Sequence, residues 1–121
     1  MNYYRLDIDT GNVVSKYHAL SELLEVIPAT VNENEKLAYS VWSHSVENSD
    51  EQISRFDFIN NFLDILEPKF PELEKLKIER SDITIWFLYE YDQQCNMEFN
   101  PNDMKRLGEN GITLCISCWQ K

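Results

Sequence analysis

A chain of 121 residues fits one domain and, by the scaling of surface with mass, buries about two-thirds of what its unfolded form exposes, so no disulfide or metal is needed to hold it. The 43% hydrophobic share is that of a globular protein, no apolar run approaches the roughly 18 residues that span a bilayer, and the charged start MNYYRLDID lacks the apolar stretch of a signal peptide. The formal charge of -10, from 21 acids and 11 bases, disfavours nucleic acid and anionic membranes as partners and favours a basic protein.

Three cysteines, an odd number, agree with a reducing compartment, and a cytoplasmic protein is expected. Tyr3 to Asp9 alternates Tyr4, Leu6 and Ile8 against Tyr3, Arg5, Asp7 and Asp9, which predicts an opening strand with one wet face. Asp9-Thr10-Gly11-Asn12 turns the chain. From about Ser15, Leu20, Leu23, Leu24 and Ile27 follow helical spacing until Pro28. Residues 29 to 38 are polar and irregular, a loop. Tyr39 to Val46 reads as a short strand, with Tyr39 and Val41 on one side and Trp42, His44 and Val46 on the other.

Ser49-Asp50-Glu51-Gln52 and Ser54-Arg55-Phe56-Asp57 both have the form of a capping box. The helix they open carries Ile59, Phe62, Leu63 and Leu66 as its stripe, widened by Phe58 and Ile65. Pro68 and Pro71 interrupt, and Pro71 to Leu76 adds a short helical turn. Asp82 to Tyr91 is the central strand, with Ile83, Ile85, Phe87, Tyr89 and Tyr91 on one side. Asp92-Gln93-Gln94 is expected to turn into a second hairpin strand, Asn96 to Phe99. Asn100 then caps a helix with Pro101 in its first position, Asp103 completing the box, Met104 and Leu107 inward, and Asn110-Gly111 at its end. Ile112 to Trp119 closes the chain as a strand.

The expected architecture is therefore α+β, in the order β-α-β-α-β-β-α-β. It is a five-stranded, largely antiparallel sheet with three helices mainly on one face. The core is expected to hold Tyr4, Leu6, Ile8, Tyr39, Val41, Ile83, Ile85, Phe87, Leu114 and Ile116. By the same alternation Trp42, Trp86 and Trp119 fall on the opposite face. There they form an aromatic, acid-rimmed protein-binding surface, unless the 29–38 segment or a helix covers them.

Reactive chemistry is scarce. Cys115 and Cys118 spell C-x-x-C, but three residues along a strand send their side chains to opposite faces, so packing is the favoured role. Asp7 and Asp9 faintly echo a calcium loop, yet Gly11 falls a place early and His18 stands where a bidentate Glu belongs. With three glycines, at 11, 108 and 111, there is no phosphate-cradling loop. No catalytic, metal or cofactor-binding residues are assigned, and a hydrolase using Asp7, Asp9 and His44 rests on no recognisable triad. An enzyme is not expected.

The strand, helix, Trp-bearing strand Tyr39-Ser-Val-Trp42-Ser, long helix, aromatic strand and closing NMEFNPNDMKRLGENGITLCISCW together resemble a bacterial domain-of-unknown-function family, family four-two-seven-nine. The likeness covers nearly the whole chain and is most specific from Met97 to Ile116, where members look like phe-x-[ser/asn]-pro-x-x-leu-x-x-leu-x-x-x-gly-[ile/leu]. This chain has Met104 at the first leucine position, and Glu25-Val26 where members often carry Leu-Gly. Some members are similar to small immunity proteins encoded beside toxins, including those of contact-dependent growth inhibition. The resemblance thus implies a cytoplasmic immunity protein that neutralises a cognate toxin, a basic nuclease being the partner its acidity suits. The alternative is a small regulatory or ligand-binding module without a toxin. The residues expected to meet the partner are Trp86, Glu90, Asp92 and Glu98 on the hairpin, and Glu47, Asp50 and Glu51 at the helix start.

Overall fold

The computed structural model describes residues 2–48 and 56–121. Asp50, Glu51 and the two capping boxes at Ser49 and Ser54 thus lie wholly or partly outside the described residues. Two alternating segments, β1 (Asn2–Asp9) and β3 (Ile83–Tyr91), pair antiparallel with Leu6 opposite Ile85. β2 (Val41–Asn48) lies antiparallel on the far side of β1, and β4 (Thr113–Gln120) lies parallel to β3. Among the described residues the sheet therefore has four strands in the order β2-β1-β3-β4.

This corrects the expected five-stranded, largely antiparallel sheet. Residues 92–100 form no strand, because both edges of β3 are already taken by β1 and β4 and leave nothing for a hairpin partner to bond. The sheet is mixed because a helix intervenes between β3 and β4, and such a crossover returns the chain in the parallel sense. The order is β-α-β-α-α-β-α-β, with α1 (Val14–Leu24), α2 (Phe58–Leu66), α3 (Phe70–Lys75) and α4 (Pro101–Asn110). Of these, α3 is the short turn expected after Pro68. No helix among the described residues is long and apolar enough to cross a membrane.

One apolar cluster occupies the helix-covered face. Tyr4, Leu6 and Ile8 of β1 and Ile83, Ile85 and Phe87 of β3 meet Tyr17, Leu20 and Leu24 of α1, the α2 stripe, and Leu107 of α4. At one end the rings of Tyr4, Phe58 and Phe87 stack on each other, Tyr4 and Phe87 nearly parallel with centroids 5.3 Å apart. Such pairs add about 0.5–1.5 kcal/mol beyond their area.

The register of β2 corrects the expected core. Ile8 lies opposite Trp42 and Leu6 opposite His44, so Trp42 is turned inward and fully buried while Val41 is 42% exposed. A buried indole needs a partner for its N–H, and Trp42 Nε1 donates to Ser21 Oγ on α1 at 3.0 Å. Ser21 in turn donates to the Tyr17 carbonyl at 3.3 Å. Tyr39 is only partly buried, beside the cluster. Leu114 is half-buried and Ile116 exposed, since β4 is an edge strand reached by little of the helical layer.

Helix ends follow local chemistry. Asn100 Oδ1 accepts from the Asp103 N–H at 2.9 Å, Pro101 takes the first turn, and Gly111 closes α4 at φ 66, as its sequence predicts. Met104, however, points outward and is 46% exposed. α1 ends at Leu24, earlier than Pro28, because Glu25 adopts the left-handed conformation at φ 57, and Ile27 is left 85% exposed. The loop that follows is anchored by Thr10, whose N–H donates to the Ser40 carbonyl at 2.9 Å and whose hydroxyl donates to the Tyr39 carbonyl.

Two stability effects are expected. Trp42→Ala removes a fully packed ring and lowers unfolding free energy by about 3–5 kcal/mol. Glu25→Gly relieves a left-handed β-carbon and raises it by up to about 1 kcal/mol. Urea denaturation of both variants checks the pair; an unchanged midpoint for Trp42→Ala contradicts the inward register.

Candidate functional site

Among the described residues every α-helix packs on one side of the sheet, and strand residues line the other. The register arranges them in rows across the strands: Glu47, Tyr3, Leu88 and Ser117; then Ser45, Arg5, Trp86 and Cys115; then Ser43, Asp7, Thr84 and Thr113. Beyond the first row Glu90 lies opposite Trp119. One end of this outer face is thus aromatic and apolar, and the other is polar.

Arg5, Asp7 and Glu90 on this face are held by neighbours. Arg5 lies over the Trp86 ring, 5.3 Å from guanidinium carbon to centroid, a cation–π contact of about 0.5–1 kcal/mol at such exposure. Arg5 Nε donates to Asp7 at 3.0 Å, and Ser43 Oγ donates to the same carboxylate at 2.6 Å. Trp119 Nε1 donates to Glu90 at 3.2 Å, and Trp119 is 38% exposed. Among the described strand residues, four acids (Asp7, Asp9, Glu47, Glu90) share this side with one base, Arg5, which is already paired with Asp7. The face is therefore an acid-rimmed set of rigid aromatic anchors.

The expected partner-binding residues divide. Trp86, Glu90 and Glu47 share the outer face. Asp92 is exposed just past β3, and Glu98 is exposed in the segment leading to α4, beside Met97 and Phe99, which pack on the cluster. Asp50 and Glu51 lie outside the described residues. Sequence reasoning missed Arg5 and the bond between Trp119 and Glu90. The alternation of β1 already placed Arg5 on the wet face, but its contact with Trp86 follows only from the β1–β3 pairing.

Other candidates separate. Asp7 and Asp9 lie on the outer face while His44 lies opposite Leu6 on the inner one, so those three side chains do not converge. Asp9 Oδ1 accepts from the Gly11 N–H at 2.8 Å, and His44 Nδ1 donates to the Ile27 carbonyl at 2.8 Å. Cys115 and Cys118 face opposite sides. Cys118 instead neighbours Cys95, whose thiol is pushed above its ordinary range by burial and by its hydrogen bond to Cys118. The 29–38 segment and β2 border a cleft of about 360 Å³ that opens to solvent, with Tyr17, Leu37 and Val41 in its walls.

Part of the acidity serves the fold. Arg106 of α4 donates through Nε and Nη2 to both oxygens of Glu67 (2.9 and 3.0 Å), through Nη2 to Asp64 (2.7 Å) and through Nη1 to Asn60 Oδ1 (2.8 Å). Asn110 adds a further donor to Glu67 at 3.0 Å. These bonds clamp α4 to α2, and they hold the Glu67 carboxyl below its ordinary range, Arg106 being the largest cause.

No family model, curated protein or solved structure matches the chain.

The clamp has a pH signature. A depressed folded-state pKa stabilises above the unfolded value, near 4.3 for Glu, and that contribution drains as pH falls through the folded value. Because the Glu67 side chain is 40% exposed, solvent limits the bridge, and Arg106→Ala is expected to cost about 1–2 kcal/mol at neutral pH. The gap from wild type narrows below about pH 4. Urea melts across that range check it; a gap that widens on acidification contradicts the assignment.

Proposed function

We propose that this chain works by gripping another protein with the outer face of its sheet, as an immunity protein that neutralises a basic toxin, nuclease domains being the class best suited. The observation that carries the reading is the face that no described helix covers: Trp86 braced by Arg5, Leu88 beside it, Trp119 tied to Glu90, and Glu47, Asp7 and Asp9 around them. Aromatic rings held by neighbours lose little entropy on binding, and this is where interface energy concentrates.

Charge supports the same reading. A formal charge of -10 draws a basic surface from a distance and speeds encounter, while acids at the rim set orientation. A nuclease is basic around its substrate groove, so an acidic cap that occupies the groove inhibits by exclusion, with no bond made or broken. The resemblance to immunity proteins from contact-dependent systems points the same way, and the proposal places the chain in the cytoplasm, where such toxins act.

Co-expression with the toxin encoded immediately upstream tests the function: growth is restored by the wild-type chain and lost again with Trp86→Ala combined with Glu90→Lys. In a binding assay that double variant weakens the complex by about tenfold or more, with little change in its own melting temperature. Affinity for the toxin also falls as salt rises. Full protection by the double variant, or absence of any complex with the wild type, refutes the proposal.

A further inference from the structure

The two edges of the sheet are treated differently. The rim of β2 is partly closed: the Ala29 N–H donates to the Ser43 carbonyl at 2.7 Å, His44 reaches the Ile27 carbonyl, and the strand carries Glu47 as an exposed charge. β4 forms the other edge. Its sequence, TLCISCWQ, holds eight residues without a charge, a proline or a glycine. Ile116 is 42% exposed and Trp119 38%, and Cys118 is open to solvent. Among the described residues its ladder runs to β3 alone, and no other backbone hydrogen bond reaches it.

Proteins normally blunt such an edge with lysine, proline, a bulge or a covering segment, because its free N–H and C=O groups template another strand. Among the described residues β4 has no lysine, proline or bulge, and the 92–100 segment approaches it through Cys95 at Cys118, on the inner face rather than along the open backbone edge. We infer that β4 is the contact between two copies of this protein, which pair antiparallel about a two-fold axis to form one continuous eight-stranded sheet.

Charge selects the occupant. A strand recruiting a basic segment would carry acids at its alternate positions, whereas β4 is electrically neutral and fits a neutral edge, which its own copy provides. A two-fold axis at Ser117 sets Ile116 opposite Cys118 and Cys115 opposite Trp119. An axis at Ile116 sets Leu114 opposite Cys118 and Thr113 opposite Trp119. Neither register opposes like charges, and both join residues of the same face, as antiparallel pairing requires. The contact is isologous and closes at two. It also sets the outer faces of the two copies side by side, with both sets of Trp86, Leu88 and Trp119 on one surface.

Light scattering coupled to size exclusion, with sedimentation equilibrium, tests the inference on the isolated full chain from micromolar to submillimolar concentration. The expected result is a monomer–dimer equilibrium that tightens as salt rises, since screening relieves repulsion between two chains of charge -10. This salt dependence is opposite in sign to that of toxin binding, so the two interactions fail or succeed independently. Ile116→Lys weakens the dimer by about tenfold or more, while Ile116→Thr remains dimeric. Hydrogen exchange on the wild type reads the same contact without a variant: β4 amides become more protected as concentration rises. A monomer throughout, open-ended oligomers, association that salt weakens, or a dimer indifferent to Ile116→Lys each overturn it.

Discussion

The pairing of β1 with β3 is the constraint from which both faces of the molecule follow. Setting Leu6 against Ile85 stacks Tyr4 on Phe87 beneath the sheet and lays Arg5 over Trp86 above it. Strand side chains alternate with a period of two, so a slip of one residue would expose the core and bury the charged row. The helices then have a single apolar surface to cover, and all four lie along it. What they leave bare is a by-product of that one-sided packing, and it is the surface proposed to meet a partner.

The acidity of the chain is divided between fold and surface. Glu67 and Asp64 belong to the Arg106 clamp, and Asp57 and Asp103 share the Asn60 amide between α2 and α4. The acids along α2 are therefore partly an internal fastening between two helices. Glu47 and Glu90 remain on the outer face, where Glu90 also steadies Trp119. Fewer negative groups are free for recognition than a count suggests, and those that remain sit beside aromatic rings rather than in isolation.

Much of this was legible before the fold was known. The alternation in β1 and β3 and the cap of α4, from Asn100 through Pro101 to Gly111, carry their structure locally. β2 did not. Alternation separates Val41 from Trp42 without saying which is inside, and the answer depends on Ser21, far away in sequence, being placed to take the indole N–H. The segment at 96–99 has the pattern of a strand but no free edge beside β3, and such occupancy is a property of topology rather than of composition. Glu25 in the left-handed region likewise shortened a helix whose apolar spacing continued to Ile27. Of the candidate site, Trp86 and Glu90 could be read from one strand. Arg5 and Trp119 could each be assigned to a face from their own strands, but their contacts with Trp86 and Glu90 depend on how the strands pair and could not.

Solvent exchange at the three indole N–H groups of the isolated chain, followed by nuclear magnetic resonance, examines the one-sided architecture most directly. Trp42, buried and bonded to Ser21, is predicted to exchange slowly, near the rate set by global unfolding, whereas Trp86 and Trp119 exchange rapidly from an uncovered face. Slow exchange at Trp86 with rapid exchange at Trp42 would contradict the account, because the two faces of the sheet would then be reversed.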